Sequence, residues 1–286
     1  MDNLVIVLFQ IFFAMALFTL ISLGLAIIFG MMRVMNLAQG EFIMLGAYIC
    51  TLAWKAGLTV WGGFLLAMVG VGLFGILVER LVIRFLYGRI IDTLLATWGL
   101  SLFLVGAVTL IFGPQSESAP TPLGNFHIGN FSIAHYSLVL IGLAITLVTL
   151  TYTLWRFTRF GLMARATMQN SNMAEALGVR TNRIYMLTFG LGSALTGLAG
   201  AILVPFAGAS PPMGIFFVAK AFITVITGGQ MALLGTLSAS SLFGSIDGVV
   251  SYFASSVAGE ISVLMVAIVL LRLLPKGITG RFQRGL

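Results

Sequence analysis

The sequence is short of cysteine and charge: one Cys and 8% charged residues in 286. A lone thiol, Cys50, builds neither an internal disulfide nor a multi-cysteine metal centre. Inside an apolar run it reads as a small buried hydrophobe. The two histidines, His127 and His135, fall in or beside one polar stretch without HExxH-like spacing, so no metal site is expected. No Gly-x-x-x-x-Gly-Lys-Ser/Thr phosphate loop, Gly-x-Ser-x-Gly elbow or carboxylate pair within one apolar run occurs. An enzyme reading therefore has no residues to stand on, and ATP hydrolysis by this chain is not expected.

The scarcity of charge excludes more. A soluble domain carries about 25% charged residues. Here 59% of residues are hydrophobic and the mean hydropathy is +1.10. Lipid is the expected solvent, so each span must satisfy its own backbone hydrogen bonds. The apolar runs are long and continuous, as helices require, and do not alternate as barrel strands do. The expected fold is all-α, a polytopic transmembrane bundle with residues 1–286 as one domain. The net charge of +7 comes from basic residues set between apolar runs, which mark topology and not nucleic-acid binding.

Nine apolar segments are read: 4–32, 36–54, 60–78, 93–112, 135–155, 185–207, 215–229, 232–253 and 260–274. The first, without a basic leader before it, reads as a retained span. Segment 215–229 is short and carries Lys220; segment 36–54 carries Asn36, Gln39 and Glu41. Both are candidates for broken or re-entrant helices, so eight or nine spans are expected. Arginines at 80, 84 and 89, at 156, 159, 165, 180 and 183, and Lys276, Arg281 and Arg284 assign three stretches to the cytoplasm. The stretch 113–134 has no Lys or Arg and is placed outside, with the C-terminus inside. Ser193, Gly197 and Ala201, and Ser240, Gly244 and Gly248, form small-residue ladders. Internal packing is the plain reading of both, a dimer seam or a moving helix pair the sharper one.

Two groups of residues carry the functional argument. In the basic stretch 156–184, Asn172 is read as an N-cap with Glu175 three positions on, and Gly178 as the left-handed residue closing a short helix. Met173, Ala176 and Leu177 share a face suited to a groove on a partner, or else to lipid headgroups. The second group is Asn36, Gln39 and Glu41 with the hydroxyl ladder Thr93, Thr97 and Ser101. These are candidate pathway residues for a solute that hydrogen-bonds. The alternatives are a satisfied structural carboxylate and hydroxyls bonded back to their own helix.

The runs GLAIIFGMMRVMNLAQGEFIMLGAY (24–48), ALGVRTNRIYMLTFGLGSALTGLAGAIL (176–203) and LLRLLPKGITGRF (270–282) resemble the ABC permeases for branched-chain amino acids and urea. The run DTLLATWGLSL (92–102) is similar to the urea and short-amide branch. Gln39, where the family usually has His, and Gly228-Gly229-Gln230-Met231 depart from its pattern. The resemblance implies a multi-pass permease of the bacterial inner membrane, working by alternating access in an importer for urea or a related amide. Branched-chain amino acids are the rival substrate, and an ion-coupled transporter or passive channel the rival class. It implies a homologous permease, two cytoplasmic ATPases that hold the ATP and Mg, and an external solute-binding protein. No cofactor is expected on this chain. Residues 163–178 become the ATPase-coupling segment, with Arg165, Asn172, Ala174, Glu175, Leu177 and Gly178 as coupling candidates.

Overall fold

The computed structural model describes residues 2–121, 123–128, 131–229 and 231–280, with the side chains of all of these except 2, 3, 125–128 and 131–133. Gln230, Arg281, Phe282 and Arg284 lie outside the described residues, as does the side chain of His127.

The order is α1 (Asp2–Met32), α2 (Gln39–Lys55), α3 (Val60–Leu81), a 3-10 turn (Ile83–Leu86) and α4 (Ile90–Phe112). A hairpin of β1 (Asn125–Ile128) and β2 (Phe131–Ala134) follows. Then come α5 (His135–Phe157), α6 (Arg159–Gln169), α7 (Ser171–Ala176), α8 (Thr181–Ala207), α9 (Met213–Gly228), α10 (Ala232–Phe253) and α11 (Ser256–Leu273). The hairpin, in antiparallel register from Asn125–Ala134 to Ile128–Phe131, is a small departure from the all-α expectation.

Among the described residues seven helices are long and apolar enough to cross a membrane, against the eight or nine spans expected. The difference is α2 and α9, of 17 and 16 residues. The chain leaves α1 through Arg33, which has φ +51°. The Asn36 carboxamide then accepts from the Ala38 amide at 3.1 Å. That local bond diverts the backbone from the helix, so α2 starts only at Gln39.

The chain forms two compact units. One comprises residues 23–120 and 150–219. In it α8 packs on α2 and α3 through the Ser193–Gly197–Ala201 ladder. A Cβ on Gly200 would collide with the Ile43 carbonyl and lie 2.7 Å from its carbon; one on Gly75 would strike the Ser193 side chain. Backbones this close are how membrane helices gain contact without a hydrophobic drive. Cys50 is fully buried beneath Gly63. Outside the helices, Glu117 bridges to Ala209 through backbone bonds and takes Lys55 at 2.5 Å.

The other unit comprises residues 1–22, 121–149 and 220–286. There the second ladder lies against α1: a Cβ on Gly248 would sit 2.8 Å from Ile11 Cα, and one on Gly244 would meet Met15. Both ladders are thus consumed by packing within the chain. The segment after α11 returns to the α9–α10 turn, where Thr279 donates to the Gly228 carbonyl at 2.7 Å and accepts from the Met231 amide.

Candidate functional site

The pathway candidates converge in the first unit. Asn36, Gln39, Glu41, Thr93 and Thr97 are all buried, and Ser101 is partly buried. The Asn36 amide donates to Gln39 Oε1 at 3.4 Å, and the Gln39 amide donates to the Thr196 hydroxyl on α8. The Leu37 amide donates to Thr97 Oγ1 at 3.1 Å. The Thr93 and Thr97 hydroxyls donate to carbonyls of Arg89 and Thr93 one turn back. Two rungs of the ladder are therefore spent on their own helix, as the back-bonding alternative expects. Ser101 hydrogen-bonds the Glu41 carboxylate, whose Oε2 is buried without a partner. The cluster thus keeps one buried carboxylate oxygen without a partner among otherwise engaged polar groups. Sequence reading missed Thr196 as the partner of Gln39. Its only signal was a hydroxyl among others in the apolar run 185–207.

The coupling candidates lie on α6, α7 and the turn after it. The N-cap of α7 is Asn170, which accepts from the Met173 amide at 3.0 Å; this corrects the expectation of Asn172. Asn172 is instead exposed on the helix. Glu175 takes no part in a capping box: its carboxylate accepts from the Thr181 hydroxyl. The two-residue shift follows from α6 ending at Gln169, which leaves Asn170 extended at φ −157°. Gly178 has φ +87°. Its amide donates to Glu175 O and that of Val179 to Ala174 O, the paired closing bonds of a left-handed helix end. Met173 and Leu177 are exposed, at 60% and 78%, whereas Ala174 is buried. Ala174 therefore holds the helix down and does not present itself to a partner. Arg165 lies on α6 and donates to the Gly161 carbonyl. That helix is anchored by Ala164 in a cluster with Met31 and Ile184.

Beside α7 opens a cavity of about 670 Å³, lined by Glu79, Arg80, Arg84, Glu175, Arg180 and Arg183 among others. Both acids are engaged. Glu79 accepts from the Tyr87 hydroxyl at 2.5 Å and Glu175 from Thr181. Among the described residues no ion pair within 4 Å engages the four arginines. The cavity is thus a net cationic recess next to an exposed apolar knob.

Burial, and then the bond to Glu79, push the Tyr87 phenol well above its ordinary value. A folded value above the unfolded one contributes stability below pH of about 10 that is lost as pH rises beyond it. A tyrosinate absorbance titration of wild type against Tyr87→Phe should show no ionisation of Tyr87 where an exposed tyrosine titrates. Wild type should also lose stability more steeply than the variant above that pH. Ionisation of Tyr87 at the ordinary value would contradict the buried contact with Glu79.

Residues 7–274 match the family described as branched-chain amino acid transport system, permease component. The high-affinity branched-chain amino acid transport system permease protein LivH of Escherichia coli K12 is 28% identical over 281 residues, covering 92% of this chain and 91% of its own. BraD of Pseudomonas aeruginosa, of the same description, is 31% identical over 287 residues, covering 92% of each. A probable LivH of Methanocaldococcus jannaschii is 26% identical over 282 residues, covering 92% and 89%. These relatives are transport permeases and not enzymes. No solved structure matches the chain significantly. The chain belongs to the family of permease components of branched-chain amino acid transport systems.

Proposed function

We propose that the protein is the membrane subunit of an ATP-driven importer of branched-chain amino acids. The observation that carries this reading is the match of full-length relatives bearing that description over 92% of the chain. The urea reading drawn from residues 92–102 finds no such support.

In this reading the chain pairs with a homologous permease in the inner membrane, with its C-terminus in the cytoplasm. An external binding protein delivers the solute, and two ATPases dock from the cytoplasm. Met173 and Leu177 enter a groove of an ATPase while the arginine recess receives its acidic side chains, an apolar anchor within a charged rim. Asn36, Gln39, Glu41, Thr93, Thr97 and Ser101 are pathway residues in this reading, reached by a solute only when the packing around them opens.

Uptake of labelled leucine and labelled urea is measured in cells with and without the gene. Gene-dependent, energy-dependent leucine uptake that unlabelled isoleucine suppresses and urea does not is expected. Gene-dependent urea uptake that leucine leaves unchanged would overturn the substrate assignment while leaving the permease role standing.

A further inference from the structure

A second polar cluster lies in the unit formed by residues 1–22, 121–149 and 220–286. Lys220, midway along α9, donates to Glu260 Oε1 on α11 at 2.7 Å. Asp247 on α10 interacts with both charges and takes a hydrogen bond from Ser251. Gly259 makes this juxtaposition possible: a Cβ there would stand 2.7 Å from Asp247 Oδ1 and collide with Ser251. Three helices thus bring one ammonium and two carboxylates together. Glu260 is one turn into α11 and Asp247 is in the last two turns of α10, toward the end of the bundle opposite the C-terminal end of α11.

Ionisable groups inside spans are expensive in hydrocarbon and face a cavity, a pathway or a partner. The side chains of Lys220 and Glu260 are 28% and 53% exposed. An ion pair open to this degree, on helices that otherwise present Ile261, Leu264 and Met265 outward, is within reach of a group from outside the unit.

We propose that Lys220, Asp247 and Glu260 form a charge-matched station in the translocation path that takes an α-amino acid by its two charged ends; this rests on the branched-chain reading above. The carboxylate of the solute pairs with Lys220 and its ammonium with Glu260, so the solute enters between the two partners. The alternating order of charge is kept, and neither protein group is left unpaired. The Asp247 charge faces Lys220 and offsets it while Glu260 turns to the ammonium. A neutral amide such as urea would separate the pair and return no charge to either side, which penalises it.

The test uses the complete importer, with its partner permease, ATPases and binding protein, reconstituted in proteoliposomes. Lys220→Met and Glu260→Gln are each expected to lower the maximal rate of leucine uptake about ten-fold or more. The half-saturating concentration should stay within about two-fold, because capture belongs to the binding protein. The double variant Lys220→Met/Glu260→Met separates this role from a structural one. An ion pair replaced by packed apolar side chains is often neutral for stability, so a merely structural pair would allow uptake to recover. The proposal expects the double variant to assemble, to melt within a few degrees of wild type and still to fail in uptake. Wild-type uptake by the double variant would overturn the proposal. A wild-type complex that moves urea and not leucine would sink the branched-chain reading, and the zwitterion role with it.

Discussion

Replacing Gly200 with valine is expected to remove the protein from the membrane. A Cβ at Gly200 would collide with the Ile43 carbonyl oxygen and lie 2.7 and 3.0 Å from the Ile43 carbon and Cα. These are backbone atoms one turn into α2, so no rotamer change relieves the contact. The only remedy is separation of α2 from α8, and Gly46 against Gly197 fixes the same pair of helices one turn away. Forcing bulk into a close-packed interior costs about 1–3 kcal/mol even where side chains can yield. Here the upper end or more is expected, a large share of the about 5–15 kcal/mol that holds a typical domain together. Gly99→Val is the control, since nothing lies within 4 Å of an added Cβ on that exposed face of α4. Membrane abundance and a detergent unfolding titration check both variants. Gly99→Val should match wild type, whereas Gly200→Val should be depleted and melt early. A Gly200→Val protein as abundant and stable as wild type would refute the close α2–α8 contact.

The second large effect is expected at Gly178, with the opposite signature: normal insertion and lost transport. Its φ of +87° lies where a β-branched residue is strained by about 1–3 kcal/mol, although nothing within 4 Å blocks an added Cβ. Gly178→Val therefore harms the turn and not the bundle. Unwinding that turn moves Leu177 and the Arg180–Arg183 wall of the recess away from each other. ATP-dependent uptake should fall about ten-fold or more, a loss of about 1.4 kcal/mol in coupling, with membrane abundance unchanged. Gly178→Asn should keep most uptake, because asparagine tolerates the left-handed conformation. Ala174→Leu, which adds bulk beneath α7 at a buried position, should resemble Gly178→Val. Unimpaired uptake by Gly178→Val would mean that the closing turn of α7 plays no part in transmitting ATPase closure.

The sequence by itself determined the solvent, the helical class and the family. With 8% charge the chain cannot cover a water-facing surface, and its long apolar runs leave each span to satisfy its own backbone as a helix. The left-handed turn at Gly178 was legible for a similar reason, since glycine after a short polar helix has one common use. Other features required the fold. Asn170 and not Asn172 caps α7 because the end of α6 decides which amides are left bare, although only Asn172 has an acid three positions on. The breaks that shorten α2 and α9 were signalled by their polar residues, but their lengths depended on the Asn36 turn and on the return of Thr279 to Gly228. The fate of the Thr93–Thr97 hydroxyls, the pairing of Gln39 with Thr196, and the meeting of Lys220, Asp247 and Glu260 join positions up to 157 residues apart in the chain. Periodicity reports which face of a helix a residue occupies. It carries nothing about which other helix that face will meet, because helix pairing in lipid is decided by local shape and by the few polar groups that must find one another.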